Sequence, residues 1–297
     1  MNRGIWSAVG AYTIWGVFPV YFKWLAQVPA LELIGHRIAW SCLMLSLVIV
    51  VSRQWQSFRE QALKLKVLRN YLAAALLISV NWLVYVWAVN NGFILEASLG
   101  YFINPLISVL IAVVILHERL RPWQWVSVSL ALLGVAYLTF IHGALPWIAL
   151  ALAFSFAFYG LIKKTSPLGA LNGLTLETMI LLLPALGYLL ALEGSGEGAF
   201  LRSGGLIDLL LFGCGVVTAV PLLLFASAAH RIPLALLGVL QYIGPTLQFL
   251  IAILIYHEPF AADKLTGFVI IWAALVIYAL EGFIARRAQP EPVAELM

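Results

Sequence analysis

Apolar positions along this chain run in long blocks, with neither the alternation of a half-buried strand nor the single apolar stripe of a surface helix. A block of about 20 apolar residues is long enough to cross a bilayer core as a helix. Ten such blocks are predicted, at about residues 4–24, 32–51, 71–91, 95–116, 123–141, 145–162, 170–192, 206–228, 234–256 and 263–285. The first continues through Trp15, Gly16 and Pro19 to Tyr21 without an A-x-A-like cleavage site, so it is read as a span rather than a removable signal. Asn90, Asn91 and Gly92 are expected to form the turn between the third and fourth spans. The predicted fold is an all-α integral membrane protein with ten transmembrane helices.

The blocks repeat. At an offset of 140, Ile103, Pro105, Leu110, Ile111, Ala112, Ile115, His117 and Glu118 recur as Ile243, Pro245, Leu250, Ile251, Ala252, Ile255, His257 and Glu258. Apolar composition alone does not supply a matched proline and a matched His-Glu pair. The chain therefore divides into a five-helix repeat over 1–141, a second over 145–285, and a tail of 286–297. An odd number of spans per repeat places the two in opposite orientations, an arrangement common among secondary transporters.

Composition and charge narrow this further. Hydrophobic residues are 63% of the 297 and charged residues 10%, against about 45–50% and about 25% in ordinary soluble domains. A soluble two-domain enzyme, a disordered chain and a collagenous one are excluded. The net charge of +4 lacks the interleaved basic and aromatic pattern of a nucleic-acid surface. Most of the 17 Lys and Arg fall instead on one side of the predicted topology, including Arg53, Arg59, Lys64, Lys66, Arg69, Arg119, Arg121, Lys163 and Lys164. The positive-inside rule then puts both termini in the cytoplasm. Cys42 and Cys214 lie far apart inside apolar blocks, so neither a disulfide framework nor a metal cluster is indicated.

The stretches Glu96–Pro105, His117–Arg119 and Gln241–Thr246, together with Trp15-Gly16, Trp87–Asn91 and Ala153–Gly160, carry a resemblance over nearly the whole chain. The protein resembles the EamA family of the drug/metabolite transporter superfamily, and within it the RarD-type members. That resemblance implies a carrier in the bacterial inner (plasma) membrane, with cytoplasmic termini, alternating access and a central cavity between the halves. It also implies that Trp15 and Tyr159, on spans one and six, face that cavity.

Candidate site residues follow from polar groups inside spans, where they are costly and tend to face the bundle interior or a watered cavity. Tyr101, Asn104 and Ser108 share one helix face, and the offset maps them onto Gln241, Gly244 and Gln248. Asn81 and Tyr85, four apart beside Trp82, suit stacking and orienting a flat or amphipathic solute. Interhelical hydrogen bonding is the alternative role for the span-four and span-nine stripe, and an interfacial aromatic belt for the span-three group. Pro105 and Pro245 each delete a helical hydrogen bond, freeing carbonyls near 101 and 241, so they are candidate hinges or simple packing kinks. Glu32, His36 and Arg37 begin the second span, with room to reach the outer interface; with Glu177 they are candidates for coupling or gating, or for structural pairing. The repeated His-Glu pair reads as architectural, since it lacks the H-E-x-x-H spacing of a zinc site.

No nucleotide-binding loop, nucleophile elbow or dinucleotide fingerprint occurs, and no soluble segment is large enough to hold ATP. The expectation is a secondary carrier without cofactor, metal or ATPase subunit, whose partners are the bilayer and a small solute. Aromatic and amide lining suits a neutral, zwitterionic or amphipathic solute better than a polyanion. A channel or sensor, or an intramembrane enzyme, is the alternative.

Overall fold

The structure, a computed structural model, describes residues 2–91, 94–142, 147–257 and 262–287. Its helices are α1 (Asn2–Lys23), α2 (Ala30–Val51), α3 (Trp55–Ala62), α4 (Leu65–Asn90), α5 (Ile94–Val114), α6 (Pro122–His142), α7 (Trp147–Thr165), α8 (Ala170–Ser195), α9 (Gly205–Arg231), α10 (Leu234–Leu240), α11 (Ile243–Leu254) and α12 (Ala262–Arg287). Among the described residues, nine helical stretches are long and apolar enough to cross a membrane, one of them running from Leu234 to Ile251 through α10 and α11. Gly100–Val114 of α5 adds a shorter apolar stretch. The fold is all-α, and each predicted block coincides with one long helix or, for the ninth, with the α10–α11 pair. Of the tail, residues 286 and 287 continue α12, whereas 288–297 and Gly92 lie outside the described residues.

These helices are apolar all round because both of their environments are apolar: neighbouring helices on one side and lipid on the other. Leu183, Leu190, Leu209 and Phe140 are fully outward-facing. Close approach of backbones replaces water exclusion as the packing force. A Cβ on Gly215 of α9 would stand 2.7 Å from the Trp40 backbone of α2, and one on Gly134 of α6 would stand 3.1 Å from the Gly267 carbonyl of α12.

The contact pattern is balanced between the halves. α1 packs on α9 and α11, while α7 packs on α4 and α5; α2 packs on α9, while α8 packs on α4. α2 meets α8 directly, and α6 meets α12. His117 and His257 both take left-handed backbone angles, φ 54° and 51°, just past the ends of α5 and α11. Such angles are uncommon for a residue with a Cβ, so their recurrence at matched positions marks a shared helix stop.

Two local features differ from expectation. The segment 52–70, read as a loop, contains the short helix α3, whose Phe58 and Ala62 are buried beside Tyr71, Leu168 and Leu176. The two proline-bearing spans also part company. α5 runs unbroken through Pro105, whereas the second-half helix breaks at Gln241 and Tyr242. There Gln241, Tyr242 and Gly244 donate to Gly238, Val239 and Gln241, each a three-residue step. The Gln241 carbonyl that Pro245 leaves without its usual donor is therefore taken by Gly244 and is not free.

Candidate functional site

A cavity of about 250 Å³ lies between the halves. From α1 it receives Tyr12, Trp15, Phe18, Pro19 and Phe22, a run at helical spacing that turns one face inward. α2 adds Arg37; α4 adds Ile78, Asn81, Trp82 and Tyr85; α5 adds Gly100, Tyr101 and Asn104. The second half contributes Leu152 and Phe156 of α7, Leu222 of α9, and Gln241, Gly244, Pro245 and Gln248 around the α10–α11 break. A wider groove of about 720 Å³ runs between α10 and α12, but no residue predicted from sequence lines it.

The cavity's polar groups divide into those held by the protein and those left open. Asn81 donates to the Leu152 carbonyl and to Ser155 Oγ, both at 2.9 Å, tying α4 to α7. Gln248 donates to the Trp15 carbonyl at 3.1 Å, tying α11 to α1. Ser108 donates weakly to Asn104 Oδ1 at 3.4 Å. Among the described residues the Gln241 amide and the Tyr85 and Tyr101 hydroxyls have no protein hydrogen-bond partner, although the two tyrosine rings lie 5.9 Å apart. Arg37 donates from Nε to Thr218 Oγ1 at 2.9 Å, and its guanidinium carbon lies 4.5 Å from the Trp82 ring centre and 5.5 Å from that of Phe22.

One end of the cavity is shut by rings. Phe225, 2% exposed, sits among Tyr159, Phe156, Trp15 and Tyr12, at centroid distances of 6.0, 5.3, 5.7 and 6.3 Å. The Tyr12 hydroxyl closes over them onto the Leu237 carbonyl at 3.1 Å. Beyond this plug, Lys164 Nζ donates to the carbonyls of Ile232 at 2.7 Å and Ala229 at 3.3 Å, pinning α7 to the end of α9. Glu118 accepts from the amides of Leu234 and Ala235 at 2.7 and 3.1 Å, capping α10 from the other half of the chain.

The structure thus gathers Trp15, Asn81, Trp82, Tyr85, Tyr101, Asn104, Gln241, Gln248, Arg37 and Pro245 on one wall system. Tyr159, expected there, lies behind the plug instead, with its hydroxyl donating to Glu177 at 3.0 Å. Glu177 is also off the wall, in an ion pair of 2.7 Å with Lys163, and both are nearly unexposed. Lys163 is therefore a buried partner rather than the loop charge it resembles in sequence. Glu32 accepts from the amides of Ala199 and Phe200, fastening the α8–α9 connection to α2, and His36 lies 3.8 Å from it. Pro105 borders a separate void of about 10 Å³. Arg37, expected to reach the interface, turns inward because Thr218 and three aromatic rings receive it. Sequence reasoning finds Trp15 but misses its neighbours Tyr12, Phe18 and Phe22 on the same face of α1; the i, i+3, i+7 spacing of Trp15, Phe18 and Phe22 was the available signal.

The EamA-like transporter family profile matches residues 2–140. An uncharacterized transporter, YojE of Bacillus subtilis, is 48% identical over 291 residues, covering 97% of each chain. Protein RarD of Escherichia coli is 44% identical over 286 residues, covering 96% of this chain and 97% of its own. A protein of Pseudomonas aeruginosa described as chloramphenicol-sensitive protein RarD is 31% identical over 280 residues, with 93% of each chain covered. A solved structure titled only as the crystal structure of a protein superposes with a TM-score of 0.67 at 20% identity, covering 93% of this chain and 97% of that one, a likeness of fold.

Proposed function

The chain belongs to the EamA-like transporter family as one of its RarD-type members, and on that premise we propose that it is a secondary carrier moving a small organic solute by alternating access. It is a bacterial multi-pass membrane protein. Its placement in the inner membrane with both termini cytoplasmic, and its construction from inverted repeats over 1–141 and 145–285, belong to the same proposal. The observation that carries it is a cavity lined by both halves and shut at one end by the Phe225 ring cluster. With that topology the plugged end is cytoplasmic, so the cavity faces outward.

The two halves supply a reason for motion. Lys164 pins the plugged end through two backbone carbonyls, whereas Lys23, its counterpart at the end of α1, rests 3.6 Å from the Tyr256 ring centre. In the inward-facing state the repeats exchange these roles, and Pro245 and the α10–α11 break serve as the hinge. Trp15, Asn81, Trp82, Tyr85, Tyr101, Asn104, Gln241 and Gln248 hold the solute. A cavity near the lower edge of the ~300–1,000 Å³ usual for small-molecule sites suits a metabolite rather than a lipid or peptide.

Counterflow in proteoliposomes tests this reading. Vesicles preloaded with a metabolite mixture are expected to accumulate labelled members of it saturably, without ATP. Unsaturable conductance overturns the carrier in favour of a channel. A single cysteine in 52–70 is expected to react with an impermeant reagent only after cells are opened; reaction in intact cells overturns the topology.

A further inference from the structure

We infer that the cavity takes a small organic anion, with its charged group on the Arg37 guanidinium and its apolar body among the rings of Trp15, Trp82 and Tyr85. This rests on the carrier reading and adds the substrate's charge to it.

Among the described residues no Asp or Glu lines the cavity, and Arg37 is the one cationic lining residue. Of the five guanidinium N–H donors, only the one on Nε finds a hydrogen-bond acceptor among the described residues. Three rings face the cation and offset part of its desolvation, but a ring accepts no strong hydrogen bond. A charge inside a membrane bundle is costly unless paired, and the other interior charges here have partners in the protein, although Glu32 Oε2 is buried without one. Lys163 has Glu177, Lys164 has two carbonyls, and Glu32 has two amides. Glu177 borders the same void of about 10 Å³ as Arg37, yet both of its oxygens are engaged, by Lys163 and by Tyr159. The Tyr85 and Tyr101 hydroxyls add two unspent donors to the same wall. The wall is therefore rich in donors and positive, with aromatic surface beside the charge.

A carboxylate matches that arrangement because two oxygens meet the fork of the guanidinium. A zwitterion fits less well, since among the described residues its ammonium would find amide carbonyls and no acid. A polyanion exceeds the single charge provided.

Matched ligand sets on purified protein in detergent test this. Benzoate, benzamide and benzylamine form one set, and 3-phenylpropanoate with its amide and amine forms another. Binding is read by tryptophan fluorescence and by the thermal midpoint. In at least one set the acid is expected to bind about tenfold to a hundredfold more tightly than the amide, the range a charge-assisted hydrogen bond supplies. Arg37→Gln is expected to abolish the difference, and Arg37→Lys to keep part of it. Equal binding of acid and amide in both sets overturns the inference, even if Arg37→Gln fails to fold. So does an acid preference that survives in Arg37→Gln, or equal protection by sodium chloride alone. Saturable counterflow of an amide without acid preference leaves the carrier standing and this inference overturned; acid preference with unsaturable conductance does the reverse.

Discussion

Positions 37 and 177 correspond at the offset of 140, on helices that pack against each other, and the protein treats their opposite charges in opposite ways. Glu177 is enclosed, 2% exposed, with Lys163 at 2.7 Å and Tyr159 at 3.0 Å. Arg37 stands at the cavity wall with one hydroxyl and three rings. The first is a charge whose needs are met within the fold. The second is a charge left for something that enters. Lys164 and Lys23 show the same division at the two ends of the bundle, one bound to backbone and the other against a ring.

Substitutions at these positions break or sharpen that contrast. The largest effect is expected at Glu177→Ala, which leaves Lys163 buried and unpaired and costs about 3–5 kcal/mol. Thermal unfolding in detergent measures it, and the double change Lys163→Met with Glu177→Leu is expected to recover most of the loss. Lys164→Met removes charge-assisted bonds to the Ile232 and Ala229 carbonyls and is expected to cost about 1.5–3 kcal/mol. Lys23→Met in the same assay is expected to leave the midpoint unchanged; equal losses would erase the difference between the two ends. Tyr12→Phe removes the bond to Leu237 over the plug, for about 0.5–1.5 kcal/mol, with faster reaction of a cysteine introduced at Asn104 from the plugged side as its second readout. Arg37→Gln without ligand is expected to stay within about 1 kcal/mol of the parent because it removes no ion pair. A loss as large as that of Glu177→Ala would show Arg37 to be architectural.

The ten spans were legible because a bilayer imposes a length and an apolarity that a window can count. Residues of the cavity such as Tyr101, Asn104 and Gln241 were legible because a polar group in an apolar block needs a reason. What the sequence hid were partnerships across distance. Lys163 resembles a loop charge until α8 brings Glu177 to it, and Arg37 resembles an interfacial charge until α9 brings Thr218. Tyr159 carries the right chemistry on the wrong side of the plug, because Phe225, 66 residues away in sequence, decides where the cavity ends. α3 escaped notice because eight residues are too few for a hydropathy window.

α6 and α12 pack on each other, with Gly134 against the Gly267 carbonyl, and among the described residues neither lends a side chain to the cavity. In mechanical terms, on the proposed alternating-access cycle, they form a clasp on the outside of the joint that would move. Such a clasp tolerates rotation only while its surfaces stay small. On that proposal, bulk added at Gly134 or Gly267 would stiffen the stroke while leaving recognition untouched, so turnover and specificity would be written on different helices of the same chain.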